Sequence, residues 1–267
     1  MICYNRFPFG NQFALTAGYD DGAISDRRLV ETFNKYGIKG TFFLVSSWFD
    51  TDGFIGFDEI KSLYKNHEVA VHTHNHEPLI SLSSSSVFDE IIKTRQTLEK
   101  ACGYVVRGMS YPFGSFSDEV ISEIKRSGIS YCRKGAHIID FQLPKNFYVW
   151  EPTRHHKFAP EIAEKFIRRK NNNKNYPYAG ICYIYGHSYE FDRDNNWELI
   201  EEFCKTVSVL DNVWFATNIE IYDYLMAQKS LHIAADESIV YNPSSIDVWI
   251  TKDGETVKIP AGETVIF

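Results

Sequence analysis

The sequence contains no long basic segment, no Cys-x-x-Cys pair and no apolar run of the roughly 20 residues that cross a membrane. With a net charge of −7 and only the short run "RRK" at 168–170, neither nucleic acid nor membrane is an expected partner. The five cysteines are scattered and odd in number, which indicates reduced thiols rather than a disulfide framework. The beginning of the sequence lacks the apolar segment and cleavage site of a signal peptide. We therefore expect a cytoplasmic protein.

Aromatic residues, in contrast, are abundant. They make up 15% of the sequence, with 20 Phe, 16 Tyr and 5 Trp. Most of these rings must fill a hydrophobic core. The excess also suits a protein that stacks aromatic rings on sugars.

Strand and helix patterns alternate over residues 1–230. Apolar runs at 13–20, 40–46, 68–74, 130–135 and 147–153 are among the predicted strands. The clearest helix is 86–103, in which one stripe holds Phe88, Ile91, Ile92, Leu98 and Cys102. Strict alternation implies a parallel α/β sheet, and about seven strands without a Gly-rich phosphate motif favour a (β/α) barrel.

The pattern changes after residue 230. Residues 231–267 alternate apolar and polar side chains and contain turn signals such as Asp253-Gly254. We predict a barrel at 1–230 and a β-rich C-terminal extension at 231–267 that packs on it.

The segment "HTHNH" at 72–76 has three interpretations. If it stays extended, His72, His74 and His76 share one face and could bind zinc. If the chain turns after His72, the side chains of His72 and His76, four residues apart, converge instead. The third interpretation is that none of them binds a metal, and three histidines within five residues at the end of a strand argue against it.

The adjacent acids Asp20 and Asp21 in "GYDDG" end the first long strand. One could bind a metal while its neighbour faces a substrate, or both could belong to a polar turn. An Asp together with two His leaves open metal positions, as hydrolytic sites require.

At this point the sequence resembles the polysaccharide deacetylases, that is, the NodB-homology domain of carbohydrate esterase family 4. The family motifs appear in order as "YDDG", "HTHNH", "SYPFG" and "YGHS", and the resemblance runs from about residue 10 to 230. It implies a distorted (β/α) barrel and a metal-dependent hydrolase.

The resemblance also implies residue roles. Asp20 would be the general base, and the metal ligands would be Asp21, His72 and His76. His187 would be the general acid, and the backbone N–H of Phe113 would help to stabilise the oxyanion.

Two parts of the family pattern are missing. The arginine of the third motif is replaced by Ser110, and the fourth motif, an acidic residue that tunes the catalytic histidine, is not recognisable. We hypothesise that Arg154 restores the positive charge near Asp20 and that Trp150 walls the pocket. The alternative is that 154–156 is a solvated loop. Trp48 and Tyr189 are further candidates for substrate contact.

The predicted function is removal of acetyl groups from an N-acetylated carbohydrate, with O-acetylated carbohydrates as the second choice. The expected cofactor is one divalent metal ion, with zinc preferred over cobalt, nickel or iron. The expected partner is an acetylated oligo- or polysaccharide. Two alternatives are a barrel amidase for a cyclic amide or ureide, and a catalytically silent carbohydrate-binding protein.

Overall fold

The computed structural model describes residues 1–135, 140–172 and 178–267. Within them, the largest sheet is entirely parallel. All fourteen strands of the described chain are, in order, β1 Ile2–Cys3, β2 Phe13–Asp21, β3 Gly40–Leu44, β4 Glu68–Val71, β5 Gly108–Ser110, β6 Tyr131–Arg133, β7 Arg154–His155, β8 Gly180–His187, β9 Val213–Phe215, β10 His232–Ile233, β11 Ile239–Tyr241, β12 Val248–Lys252, β13 Glu255–Ile259 and β14 Thr264–Ile266.

The parallel sheet has the order β6-β5-β4-β3-β2-β8-β7, and β9 pairs with the beginning of β2. A side chain on β6 (Arg133) contacts one on β2 (Asp20), although three strands lie between them. The sheet is therefore curled. At its ends, an isolated bridge joins Arg133 of β6 to Trp150, which precedes β7 by four residues. The predicted distorted (β/α) barrel of about seven parallel strands is confirmed.

Helices follow most of the strands, as the alternation predicts. They are α1 Asp26–Tyr36, α2 Ile60–Leu63, α3 Ser84–Cys102, α4 Asp118–Arg126, α5 Ala159–Asn171, α6 Tyr189–Arg193, α7 Trp197–Ser208 and α8 Asn218–Lys229. Local signals mark their ends: Gly37 and Gly103 adopt the left-handed conformation after α1 and α3, and the Ser117 hydroxyl caps α4. A search of the described helices finds none that could span a membrane.

One predicted strand is wrong. Residues 147–153 contain a 3₁₀ turn at Phe147–Val149, and the strand at this position of the sheet, β7, begins at Arg154. The segment is apolar because Phe147 and Trp150 pack into a buried cluster of aromatic rings. An apolar run of this length does not distinguish a strand from a buried turn.

The buried face of α3 is also rotated from the predicted stripe. Phe88 and Ile92 are only half-buried, whereas Glu90 and Thr94 are buried together with Ile91, Leu98 and Cys102. Buried polar residues need hydrogen-bond partners. Those partners lie in the loops after β3 and β4, which makes this face part of the candidate site.

The C-terminal extension forms the sheet β10-β11-β14 and supplies β12 and β13 to a second antiparallel sheet, β1-β12-β13. Its core includes Val240, Val248, Ile250 and Ile259, and it packs on α8 through contacts such as the Trp249 N–H donating to the Tyr224 hydroxyl. The division into 1–230 and 231–267 stays a prediction, and β1 crosses it by pairing with β12.

Candidate active site

The carboxyl ends of the parallel strands meet at one edge of the barrel. Asp20 and Asp21 end β2, and Asp20 lies in register with His187 at the end of β8. The "HTHNH" segment follows β4 at the same edge, because β3 and β4 run parallel to β2. Residues that are far apart in the sequence therefore converge on one small region.

The chain turns sharply after His72. Thr73 and His76 both have positive φ angles, of 65° and 59°, and the Thr73 hydroxyl accepts a hydrogen bond from the His76 N–H at 3.1 Å. This turn brings the rings of His72 and His76 to 4.8 Å between their centroids. The extended arrangement with three histidines on one face is excluded.

Glu90 on α3 fixes this turn. One of its carboxylate oxygens accepts hydrogen bonds from the backbone N–H groups of His74 and Asn75, at 2.9 and 2.8 Å. The His74 ring points elsewhere, with Nδ1 at 2.9 Å from the Ser46 hydroxyl. His74 is thus held outside the histidine pair, as the resemblance implied.

Asp21, His72 and His76 form a set of three potential metal ligands. Asp21 Oδ1 lies 3.6 Å from His72 Nε2 and 3.7 Å from His76 Nε2. This oxygen is buried and has no hydrogen-bond partner among the described residues. The Nδ1 atom of His72 lies 3.1 Å from the Ser110 carbonyl, so the proton sits on Nδ1 and Nε2 keeps its lone pair. One carboxylate oxygen and two imidazole lone pairs around a shared point fit a divalent metal ion.

The ionisation of these groups agrees with that fit. Burial and the neighbouring Asp20 raise the pKa of Asp21 to about 6. Burial lowers the pKa of His72 to about 3, and burial likewise lowers the pKa of His76. The two imidazoles are therefore neutral near pH 7, as metal ligands must be.

Asp20 is paired with Arg133, which the sequence interpretation missed. The Arg133 guanidinium contacts Asp20 Oδ2, and the Ser110 hydroxyl donates to Asp20 Oδ1 at 3.1 Å. Burial alone would raise the pKa of Asp20, but the Arg133 charge and the nearby His72 outweigh it and lower the pKa. Ser110, which replaces the motif arginine, therefore contacts the Asp20 carboxylate, and the positive charge beside it comes from Arg133 on the neighbouring strand β6.

The hypothesis that Arg154 supplies this charge is wrong. Its guanidinium pairs with Glu161 at 2.6 Å and lies 3.6 Å from the centre of the Phe158 ring. Trp150 does not wall a pocket either: it is 2% exposed and packs against Tyr131 and other rings.

His187 has a carboxylate partner that the sequence interpretation also missed. Its Nδ1 atom lies 3.3 Å from Glu190 Oε1, and its Nε2 atom lies 3.8 Å from Asp21 Oδ2. Burial would lower the pKa of His187, but Glu190, Asp20 and Asp21 outweigh it and raise the pKa above its ordinary value. The spacing of three residues from His187 to Glu190 was the available signal.

Aromatic side chains surround the ligand set. The Phe113 and Trp48 rings lie 4.8 and 5.1 Å from the His76 ring, and the Tyr189 ring lies 5.1 Å from the His187 ring. Phe113 is 69% exposed and has a φ of 57°, in a turn at Pro112–Gly114. The site thus combines buried charged groups with rings that remain open to solvent.

Comparison with known proteins identifies the family that this arrangement resembles. Residues 11–132 match the model of the family described as polysaccharide deacetylase. In this part of its sequence the chain is similar to the polysaccharide deacetylases. The match contains the first three of the four motifs, so the resemblance predicted from them is confirmed.

A curated relative supports the same assignment. The chain is 29% identical over 116 residues to the peptidoglycan-N-acetylglucosamine deacetylase of Listeria monocytogenes. This match covers 42% of the present chain and 24% of the Listeria protein. The chain therefore spans about a quarter of the relative's length.

Solved structures extend the similarity in fold to most of the chain. A Mycobacterium smegmatis protein provisionally named as a polysaccharide deacetylase aligns with a TM-score of 0.63 and 16% identity, over 84% of this chain and 93% of that one. A family 4 acetyl xylan esterase from Clostridium thermocellum, solved with a cobalt ion, aligns with a TM-score of 0.54 and 18% identity, over 79% and 89%. At these identities the likeness concerns the fold.

Proposed function

We propose that this protein is a metal-dependent hydrolase that removes acetyl groups from an N-acetylated carbohydrate. The observation that carries the proposal is the convergence of Asp21, His72 and His76 beside a buried, charge-paired Asp20 and a carboxylate-paired His187. These groups supply the ligands, base and acid that amide hydrolysis by water needs.

Asp21, His72 and His76 would hold the metal ion, with zinc as the first choice. A divalent ion in this position would acidify a water molecule and polarise the acetyl carbonyl. The open coordination positions that this requires are consistent with three protein ligands. The cobalt ion of the Clostridium structure is a property of that protein, and cobalt, nickel and iron remain alternatives for this one.

The remaining steps belong to the side chains. Asp20, kept ionised by Arg133, takes a proton from the attacking water. The backbone N–H of Phe113 stabilises the negative charge on the carbonyl oxygen. His187 donates a proton from Nε2 to the departing nitrogen, while Glu190 holds its Nδ1–H. No covalent intermediate is needed.

The name of the Listeria relative favours a glycan of N-acetylated sugars. The exposed rings of Phe113 and Tyr189 and the half-buried ring of Trp48 are suited to stacking on sugar rings. Carbohydrate faces carry C–H groups that pack on aromatic rings. We therefore propose an oligo- or polysaccharide rather than a small cyclic amide.

The test is acetate release from N- and O-acetylated oligosaccharides, including peptidoglycan fragments, after chelation and after metal is restored. We expect metal-dependent release that is lost in Asp20→Asn and in His76→Gln. His74→Gln is the matched control, because it changes a histidine of the same loop that lies outside the ligand set.

Absence of acetate release from every sugar, with metal bound at the site, would contradict the proposal. Cleavage of cyclic amides or ureides would then indicate an amidase. Binding of oligosaccharide without release would indicate a silent carbohydrate-binding protein.

A further inference from the structure

Glu190 lies among three imidazole rings. Its Oε1 atom faces His187 Nδ1 at 3.3 Å, and its Oε2 atom lies 3.0 Å from His155 Nε2 and 3.1 Å from His156 Nε2. The carboxylate is largely buried, with 12% of its side chain exposed. His155 and His156 are not part of the ligand set around Asp21. Their position behind Glu190 therefore needs its own explanation.

One explanation is a second metal site made of His155, His156 and Glu190, whose ligand atoms lie within 4.8 Å of one another. The protonation of His155 argues against it. Its Nδ1 atom accepts a hydrogen bond from the Lys157 N–H at 3.2 Å, so a neutral ring carries its proton on Nε2. A metal ion at Nε2 would require the lone pair that this proton occupies.

His156 points to the same conclusion. Its Nδ1 atom is buried and has no hydrogen-bond partner in the described part of the chain, and a Cβ added to Gly186 would lie 2.2 Å from it. A proton on Nδ1 would leave a buried donor unpaired against the backbone of Gly186, which is costly. With its proton on Nε2, the neutral ring turns this N–H towards Glu190 Oε2, which lies 3.1 Å away. The ring is fixed between Tyr19 and Phe191, at centroid distances of 5.6 and 4.2 Å.

We propose that His155 and His156 are positioning residues for the general acid. They fix the orientation of the Glu190 carboxylate. Glu190 in turn holds the proton on Nδ1 of His187, so that Nε2 faces the reacting group. The inference rests on the proposed function only for the identity of His187 as the acid. The chain from His155 to His187 consists of contacts within the structure.

The proposal predicts a defect that depends on the leaving group. A departing sugar amine needs a proton from His187, whereas the phenolate of 4-nitrophenyl acetate leaves without one. In His155→Leu, turnover of an N-acetylated oligosaccharide should fall about 10- to 100-fold, the range found when a partner behind an active-site histidine is removed. Hydrolysis of 4-nitrophenyl acetate should change by less than about 2-fold, since it bypasses general acid catalysis.

The conservative variant His155→Gln keeps an N–H donor near the position of Nε2 and should recover much of the lost turnover. His156→Gln tests the second ring in the same way. His232→Leu removes an exposed histidine of the C-terminal extension and is the matched control for loss of a histidine. Equal losses on both substrates, or no loss on either, would refute the positioning role.

Two further measurements keep the inference independent of the deacetylase activity. At a pH above the pKa of His187, where its ring is neutral, imidazole ¹⁵N spectra should show the proton on Nδ1 in the wild-type protein and a mixture of tautomers in His155→Leu. Zinc titration should give one ion per chain in both. An unchanged tautomer, or a second zinc ion that disappears with His155, would overturn the inference whether or not acetylated sugars are cleaved. A wild-type protein that releases no acetate would instead count against the proposed function.

Discussion

Replacing Arg133 by methionine removes the cation that is paired with Asp20 while keeping most of the aliphatic side chain. Both partners are almost completely buried, at 2% and 8% side-chain exposure. The guanidinium also lies over the rings of Phe43 and Tyr185, at 5.4 and 5.0 Å. The variant therefore leaves a carboxylate in the barrel with the Ser110 hydroxyl as its donor.

The size of the effect follows from the two ways in which Asp20 can respond. A buried charge that loses its partner costs about 3–5 kcal/mol of stability. Asp20 can avoid part of this cost by binding a proton. For a carboxyl group with an ordinary pKa near 3.9, protonation at pH 7 costs about 4 kcal/mol, at 1.36 kcal/mol per pKa unit. We therefore expect a loss of about 3–4 kcal/mol in the free energy of unfolding at pH 7.

Urea unfolding followed by circular dichroism would measure this loss by linear extrapolation. The control is Arg154→Met, since Arg154 pairs with a half-exposed Glu161 and should contribute much less. A loss below about 1 kcal/mol for Arg133→Met, well under the cost of an unpaired buried charge, would refute the assignment of the pair. An equal loss in the Arg154 control would show that any arginine in this region has the same effect.

Three other predictions concern different parts of the molecule. Burial raises the pKa of Asp26 to about 7, so the folded state favours its neutral form. The wild-type protein should therefore lose stability as the pH rises from about 4 through 7, and Asp26→Asn should not show this loss. Parallel curves of unfolding free energy against pH for the two proteins would contradict the prediction. Glu90→Ala leaves the turn that carries His76 without its acceptor and should weaken zinc affinity about 10- to 100-fold in calorimetry; an unchanged affinity would show that the turn holds itself. Trp48→Ala should raise KM for oligosaccharide about 10-fold by removing a stacking surface, with 4-nitrophenyl acetate hydrolysis as the control; an unchanged KM would exclude Trp48 from substrate contact.

The parts of the fold that could be predicted are those with local causes. Glycines after α1 and α3 and the serine before α4 mark helix ends because they satisfy nearby backbone groups. The segment 147–153 was wrongly predicted as a strand. Its apolar residues are buried by aromatic rings from other parts of the chain, and the segment's own sequence does not reveal those contacts.

The site shows the same limit. Asp20 and His72 could be placed at the edge of the sheet from strand ends alone. Arg133 could not be matched to Asp20, because the curl of the sheet brings β6 against β2 across three intervening strands. Glu190 was missed because its approach to His187 depends on the short α6, which has no clear periodic signal. The buried polar face of α3 could not be predicted either, because Glu90 is buried by its hydrogen bonds to the 73–76 loop and not by packing in the hydrophobic core.

The pairing of β1 with β12 has a consequence for synthesis on the ribosome. Ile2 and Cys3 leave the exit tunnel about 250 residues ahead of their partners Lys252 and Thr251. The parallel strands have partners much nearer in the sequence and can assemble earlier. Contacts of such long sequence separation form late, since loop closure must precede them. We therefore expect the sheet of β1, β12 and β13 to fold after the parallel sheet, and β1 to present an unpaired edge to chaperones until it does.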